Sequence, residues 1–140
     1  MAQIRRIVES DFAAAHGLLD QLMPAAVDLR RAIWNDTLAH GNYAAWIAEL
    51  GGRPAGFVDL FVFPDLAHGR NIALVNNLVV DERFRRRGLG EELLQQAITH
   101  CRLHDVVELH LWTEANNTQA QRLYERTGFV RRAVLMELEM

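Results

Sequence analysis

Leu78-Val79-Val80-Asp81-Glu82-Arg83-Phe84-Arg85-Arg86-Arg87-Gly88-Leu89-Gly90-Glu91-Glu92-Leu93-Leu94 is the stretch that decides how this chain folds. A buried-type strand ends in a short arginine-rich turn. Two glycines one residue apart then open a helix that reads to about His104. A helix N-terminus leaves about four amides unpaired and carries roughly half a positive charge. Glycine lets an anion approach the backbone closely, and neighbouring guanidinium groups add charge-assisted donors. The combination is an anion-binding device of general type. Gly-x-Gly alone also describes an ordinary loop with a solvated charge run. Leu93 stands where a dinucleotide fingerprint needs its third glycine, and no lysine completes a phosphate-binding loop of the Walker kind.

Outward from this stretch, the chain alternates between strand and helix patterns. Toward the N-terminus, Asn71 to Val80 reads as a strand, preceded by a hairpin of Tyr43–Leu50 and Ala55–Phe63. Gly51, Gly52, Arg53 and Pro54 form the hairpin turn and Pro64 ends it. Gln3 to Val8 reads as an edge strand. Ser10 or Asp11 caps a helix with Phe12, Ala15, Leu18, Leu19 and Leu22 at helical spacing, and a second helix spans about Ala26 to His40. Toward the C-terminus, Val106 to Thr113 alternates as a strand. Asn116 or Asn117 caps a helix that ends at Thr127, with Gly128 in the left-handed position. Phe129–Arg131 and Ala133–Glu139 then complete the sheet. The order is β-α-α-β-β-β-α-β-α-β-β. The central β-α-β unit implies a parallel strand pair with a right-handed crossover, inside a mixed sheet.

Length and composition bound the rest. The 140 residues fit one domain, 1–140, able to bury roughly two-thirds of its unfolded surface. Half the residues are hydrophobic and 24% charged, a globular composition. All fifteen basic residues are arginine, which removes Schiff-base chemistry on lysine. The single cysteine, Cys101, excludes an intramolecular disulfide and a cysteine-cage zinc site, and suits a cytoplasmic location. His100 and His104 at helical spacing have no matched further ligands, so no metal is expected. A net charge of −3 argues against nucleic acid, and no apolar run approaches the ~20 residues that span a bilayer. The first twelve residues carry Arg5, Arg6, Glu9 and Asp11, unlike a signal peptide.

Arg85-Arg86-Arg87-Gly88-Leu89-Gly90 resembles the Arg/Gln-x-x-Gly-x-Gly/Ala signature of the GNAT superfamily of acyl-coenzyme-A-dependent N-acyltransferases. Asn117-Thr118-Gln119-Ala120-Gln121-Arg122-Leu123-Tyr124-Glu125-Arg126-Thr127-Gly128-Phe129 resembles a second feature of that family, Asn-x-x-Ala-x-x-Leu-Tyr-x-x-x-Gly-Phe. The resemblance covers essentially the whole chain. It implies an α/β fold with a mixed central sheet, a splayed parallel strand pair and flanking helices. It implies acetyl-CoA as co-substrate, its diphosphate held by the amides of Arg86, Arg87, Gly88, Leu89, Gly90 and Glu91 with Arg85 assisting. Leu78, Val79 and Val80 would bulge and pair with the pantetheine arm, an amide near Leu78 would polarise the thioester carbonyl, and Asn117 would bond the arm. Tyr124 corresponds to the family tyrosine beside the sulfur. A phenol stays protonated at neutral pH and can donate to the departing thiolate.

The base is open. Relatives often carry a glutamate on the strand matching Ile72–Val80, where this chain has Asn76 and Asn77. Trp112 stands where some N-terminal-amine acetylases carry a glutamate. His110, Glu114 and His68 are the alternatives, beside water alone. His110 and Trp112 share a strand face if alternation holds. Trp34, Asp36 and Trp112 are candidates for the acceptor pocket, since an aromatic and a carboxylate suit a cationic amine. The reading is direct acetyl transfer to a primary amine of a small molecule: a metabolite, amino acid, polyamine or antibiotic. The alternatives are acetylation of protein N-termini or lysines, and a coenzyme-A-binding sensor without turnover. The resemblance also implies a homodimer paired through outer strands or helices.

Overall fold

The computed structural model describes residues 2–140. They divide into two compact units, the first running to His110 and the second Leu111–Met140. The first unit contains β1 (Gln3–Arg6), α1 (Phe12–Leu22), α2 (Val27–Ala39), β2 (Tyr43–Leu50), β3 (Arg53–Asp65), β4 (Arg70–Val80), α3 (Leu89–Leu103) and β5 (Val106–His110). Its sheet has the order β1-β2-β3-β4-β5. The first four strands are antiparallel neighbours, while β5 returns through α3 to lie parallel to β4. That is the mixed sheet and the crossover the sequence predicts.

Both faces of the sheet are covered, so its central strands are apolar on both sides. Tyr43, Ala45, Ile47, Phe57 and Val79 cluster with Phe12, Ala15, Leu18 and Trp34 from the first two helices. The other face receives α3, which buries Leu89, Leu93, Leu94, Ala97 and Cys101 along one stripe. Burying one such leucine contributes roughly 2 kcal/mol. Gly56 makes the close approach possible: a Cβ there would stand 2.7 Å from Leu93 Cδ1 and 3.1 Å from the Val79 carbonyl oxygen. Leu93 packed on Gly56 in turn fixes where the glycine turn before α3 lies against the sheet.

Three strands have other bounds than the sequence reading gave, and β1 stops at Arg6 rather than Val8. β3 runs through both of its prolines, with Pro54 opposite Glu49 and Pro64 opposite Asn71. Proline keeps an extended φ and lacks only the N–H, so it is tolerated near strand ends. β5 stops at His110 rather than Thr113, because its register with β4 ends at the Leu74–His110 pair.

The second unit contains α4 (Thr118–Arg126). The Asn117 side chain caps it, accepting the Ala120 N–H at 3.1 Å. Gly128, at φ +106°, closes it. The Phe129 N–H donates to the Tyr124 carbonyl at 2.9 Å and the Gly128 N–H to the Glu125 carbonyl at 3.1 Å. These are the paired bonds of a Schellman cap, and the Tyr124 and Phe129 rings, 6.1 Å apart, make its apolar contact. The Tyr-x-x-x-Gly-Phe spacing therefore has a local structural reason. The two strands expected after it do not form: residues 129–140 are in no strand. Val134, Met136 and Leu138 are 87%, 89% and 83% exposed. Alternation alone cannot make a strand, because its N–H and C=O groups need a ladder partner.

Candidate active site

β4 carries the irregularity on which the site is built. Its register with β3 slips between Asp59 and Leu60: Asp59 opposes Asn77, while Leu60 opposes Val75. Asn76 is the extra residue of a β-bulge, two positions before the Leu78–Val80 stretch where the sequence reading placed the bulge. On its other side β4 pairs with β5 only from Asn71 to Leu74. Val75 to Val80 therefore have no neighbour strand on that edge.

Strand alternation sets where the backbone groups of this segment point. The Asp81 N–H donates to the Ala55 carbonyl on β3 at 2.8 Å. Counting back by twos, the amides of Val79 and Asn77 also face β3, and those of Leu78 and Val80 face the open edge. The Val80 carbonyl accepts from Arg85 Nε at 3.2 Å. Leu78 thus presents an N–H and a C=O along an unpaired edge, as an extended ligand needs for strand-like pairing.

A buried carboxylate holds the bulge from behind. Asp59 is 5% exposed. It accepts from the Tyr43 hydroxyl at 2.7 Å and the Asn77 backbone N–H at 2.8 Å, and from Asn77 Nδ2 at 3.0 and 3.1 Å. Burial pushes its carboxyl upward in pKa, and these bonds oppose the shift. The Tyr43 phenol is raised by burial and by the adjacent carboxylate. The sequence reading missed Asp59. Its signal is a lone acid in the apolar run Ala55–Phe63.

Past β4 the chain turns through Asp81 to Gly88. Asp81, itself buried, accepts from the Arg83 backbone N–H at 2.8 Å and from its guanidinium at 3.0 and 3.2 Å. Gln21 of α1 adds a bond at 3.0 Å. Arg83 above all holds the Asp81 carboxyl down at about 2. Arg83 and Arg87 both lie over the Phe84 ring. Arg86 has φ +65° and Gly88 φ +79°. Left-handed residues interleaved with ordinary ones turn successive amides toward a common point, a backbone nest for an anion. Leu89 and Gly90 open the first turn of α3, where a helix leaves its amides without intrahelical acceptors. The donors expected on Arg86–Glu91 and the strand Leu78–Val80 lie consecutively along one loop and one edge.

The remaining candidates are distributed differently. Trp34 is a packing residue: its Nε1–H donates to the Glu9 carbonyl at 2.9 Å and its ring meets Phe12 edge-on. Asp36 is exposed on α2. Trp112 lies beyond the end of β5, 52% exposed, so it does not share a strand face with His110. In the second unit, the Asn117 carbonyl oxygen is used by the helix cap, leaving its amide nitrogen as a donor. Tyr124 is half-buried, and burial raises its phenol further above neutrality. Two of the three candidate bases are linked: His68 Nε2 and His110 Nε2 lie 3.2 and 3.0 Å from the same Glu108 oxygen. Glu114 contributes its backbone carbonyl to the turn before α4. Cys101 is buried, its thiol pushed up to about 11, and so is a packing residue.

Comparison with known proteins gives one consistent result. The model of the family described as "Acetyltransferase (GNAT) family" matches residues 3–129. An uncharacterized N-acetyltransferase of Bacillus subtilis is 30% identical over 131 residues, covering 90% of this chain and 88% of that protein. The spermine/spermidine N(1)-acetyltransferase of the same organism is 34% identical over 83 residues, 56% of this chain and 53% of its own. Two relatives from Mycobacterium tuberculosis and Methanocaldococcus jannaschii, with N-acetyltransferase in their names, are spanned over 50% and 40% of their length. The crystallised aminoglycoside N-acetyltransferase AAC(6')-Iy in complex with CoA has the same fold. Its TM-score is 0.89 at 22% identity, over 100% of this chain and 95% of that one.

Proposed function

The chain belongs to the acetyltransferase (GNAT) family, and from that membership we propose that it moves the acetyl group of acetyl-CoA directly onto a primary amine of a small molecule. The observation that carries the reading is the open β4 edge from Val75 to Val80, continued by the Arg86–Gly88 nest. An edge of unpaired backbone suits an amide-bearing arm, and converging amides backed by guanidinium groups suit a diphosphate. In the transfer the amine nitrogen attacks the thioester carbon, the C–N bond forms and the C–S bond breaks. The Leu78 N–H, fixed by strand geometry before the reaction, meets the charge developing on the carbonyl oxygen. Tyr124 delivers a proton to the departing sulfur, and Asn117 bonds the cofactor arm. The family match runs through both units, which supports reading 1–140 as one catalytic domain.

A small-molecule acceptor is supported by the polyamine and aminoglycoside enzymes among the relatives. A second reading, transfer to a protein N-terminus, is supported by a 44% match over 57 residues to the ribosomal protein bS18-alanine N-acetyltransferase of Salmonella typhimurium. Thiol release from acetyl-CoA, measured against polyamines, aminoglycosides, amino acids and peptides, separates them. Turnover of a small amine is expected. Turnover of peptides alone replaces the acceptor class. Cofactor binding without any turnover turns the chain into a coenzyme-A sensor. We read the working form as a cytoplasmic homodimer. The apolar side chains of residues 130–140, exposed in the single chain, support that assembly.

A further inference from the structure

At neutral pH the acceptor amine is an ammonium ion, and a proton must leave before nitrogen can attack. The strand Ile72–Val80 carries no acid to take it. Four ionisable side chains are linked along the short stretch where β4 and β5 pair. Asp65 ends β3, His68 lies on the turn to β4, and Glu108 and His110 lie two apart on one face of β5. His110 is the last β5 residue paired with β4, opposite Leu74, immediately before the open edge begins. Ligands of open α/β sheets collect at the carboxyl ends of their parallel strands, and His110 is such an end.

The hydrogen bonds define the proton positions. A carboxylate only accepts. His68 has Asp65 at Nδ1 and Glu108 at Nε2, so both of its nitrogens carry protons. Asp65 first, then Glu108, raise its pKa. His110 Nε2 lies 3.0 Å from the same Glu108 oxygen and donates to it. A neutral His110 ring therefore keeps Nδ1 bare, a lone pair held in a fixed tautomer by Glu108. Around this pair, Arg70 is the register partner of Asp65, and the β4 neighbours Ile72 and Leu74 are apolar.

We propose that His110 is the general base of the acyl transfer, taking the acceptor ammonium's proton on Nδ1, with Glu108 as the positioning residue that His68 and Asp65 hold in place. The proposal rests on the acetyltransferase reading. The ammonium's first proton goes to His110 and later to solvent. Its nitrogen lone pair forms the C–N bond, the C–S electron pair leaves on sulfur, which takes the Tyr124 proton, and the second proton lost from nitrogen restores the phenol.

Two measurements decide it. Nitrogen-15 NMR of the histidine rings at pH 8 needs no acceptor. It should show His110 protonated at Nε2 and bare at Nδ1. The opposite His110 tautomer overturns the proposal. With spermidine as probe amine, His110→Gln should lower kcat about 100-fold at pH 7 and leave the KM for acetyl-CoA unchanged. The loss should shrink toward a few-fold near pH 9.5, where bulk water deprotonates the amine. Glu108→Gln should cost about 10-fold and shift the ascending limb of the pH profile. An unchanged profile in His110→Gln, or a loss no pH restores, overturns the assignment. If the native chain turns over another amine in place of spermidine, the variants are read with that amine, and a bare Nδ1 without a pH-dependent loss in His110→Gln overturns the assignment.

Discussion

Tyr124 and Asp59 show how differently two polar side chains of one chain are employed. Tyr124 sits two residues before the end of α4, and its ring belongs to the apolar contact of the helix cap. Phenylalanine keeps that contact, so Tyr124→Phe should leave the unfolding midpoint nearly unchanged. If the hydroxyl protonates the thiolate, the same change lowers kcat about 100-fold, read as thiol release at saturating acetyl-CoA. Unaltered turnover would leave Tyr124 as a cap residue only. Asp59 is the reverse case. Asp59→Ala leaves the Tyr43 hydroxyl and the Asn77 N–H buried without an acceptor, each a loss of about 1–3 kcal/mol. A drop of roughly 2–5 kcal/mol should appear in urea unfolding, together with weaker acetyl-CoA binding as the bulge relaxes.

At the scale of elements, the turn between β4 and α3 is held by charge at one end and by backbone conformation at the other. Asp81 lies at about 2 when folded, below an ordinary aspartate near ~3.9. Its folded pKa is depressed, so the stability it contributes is present above about pH 4 and lost as pH falls toward 2. The shift corresponds to about 2 kcal/mol. Urea titrations at pH 7 and pH 2.5 should show the native chain losing that much more than Asp81→Asn across the window. At the other end, Gly88 has φ +79° with open space around a would-be Cβ. Gly88→Ala meets backbone strain and no clash. It should cost about 1 kcal/mol and raise the Kd for acetyl-CoA, measured calorimetrically, because the first amides of α3 turn away.

For the whole molecule, assembly turns on the C-terminal segment. Val134, Met136, Leu138 and Met140 repeat every second residue, the pattern of one strand face, yet they stand in solvent in the single chain. A homodimer that covers them is expected in light scattering of the full chain. Removing residues 133–140 should leave monomers. A full chain that is monomeric at micromolar concentration contradicts the assembly.

Periodicity, caps and motif spacing determined by themselves which segments are helices, that one strand pair is parallel, and that a glycine turn opens α3. These are short-range properties: a glycine with positive φ, an asparagine cap and an apolar stripe act within a few residues. The same logic made Gly128 readable as the end of α4, since a Schellman cap is closed within six residues. What the sequence could not determine depends on register. The pairing of Asp59 with Asn77, the bulge at Asn76 and the meeting of His68 with Glu108 and His110 join residues far apart in the chain. Only the tertiary structure decided them. It also decided that the last alternating segment is no strand, because a strand exists only where another backbone answers its hydrogen bonds.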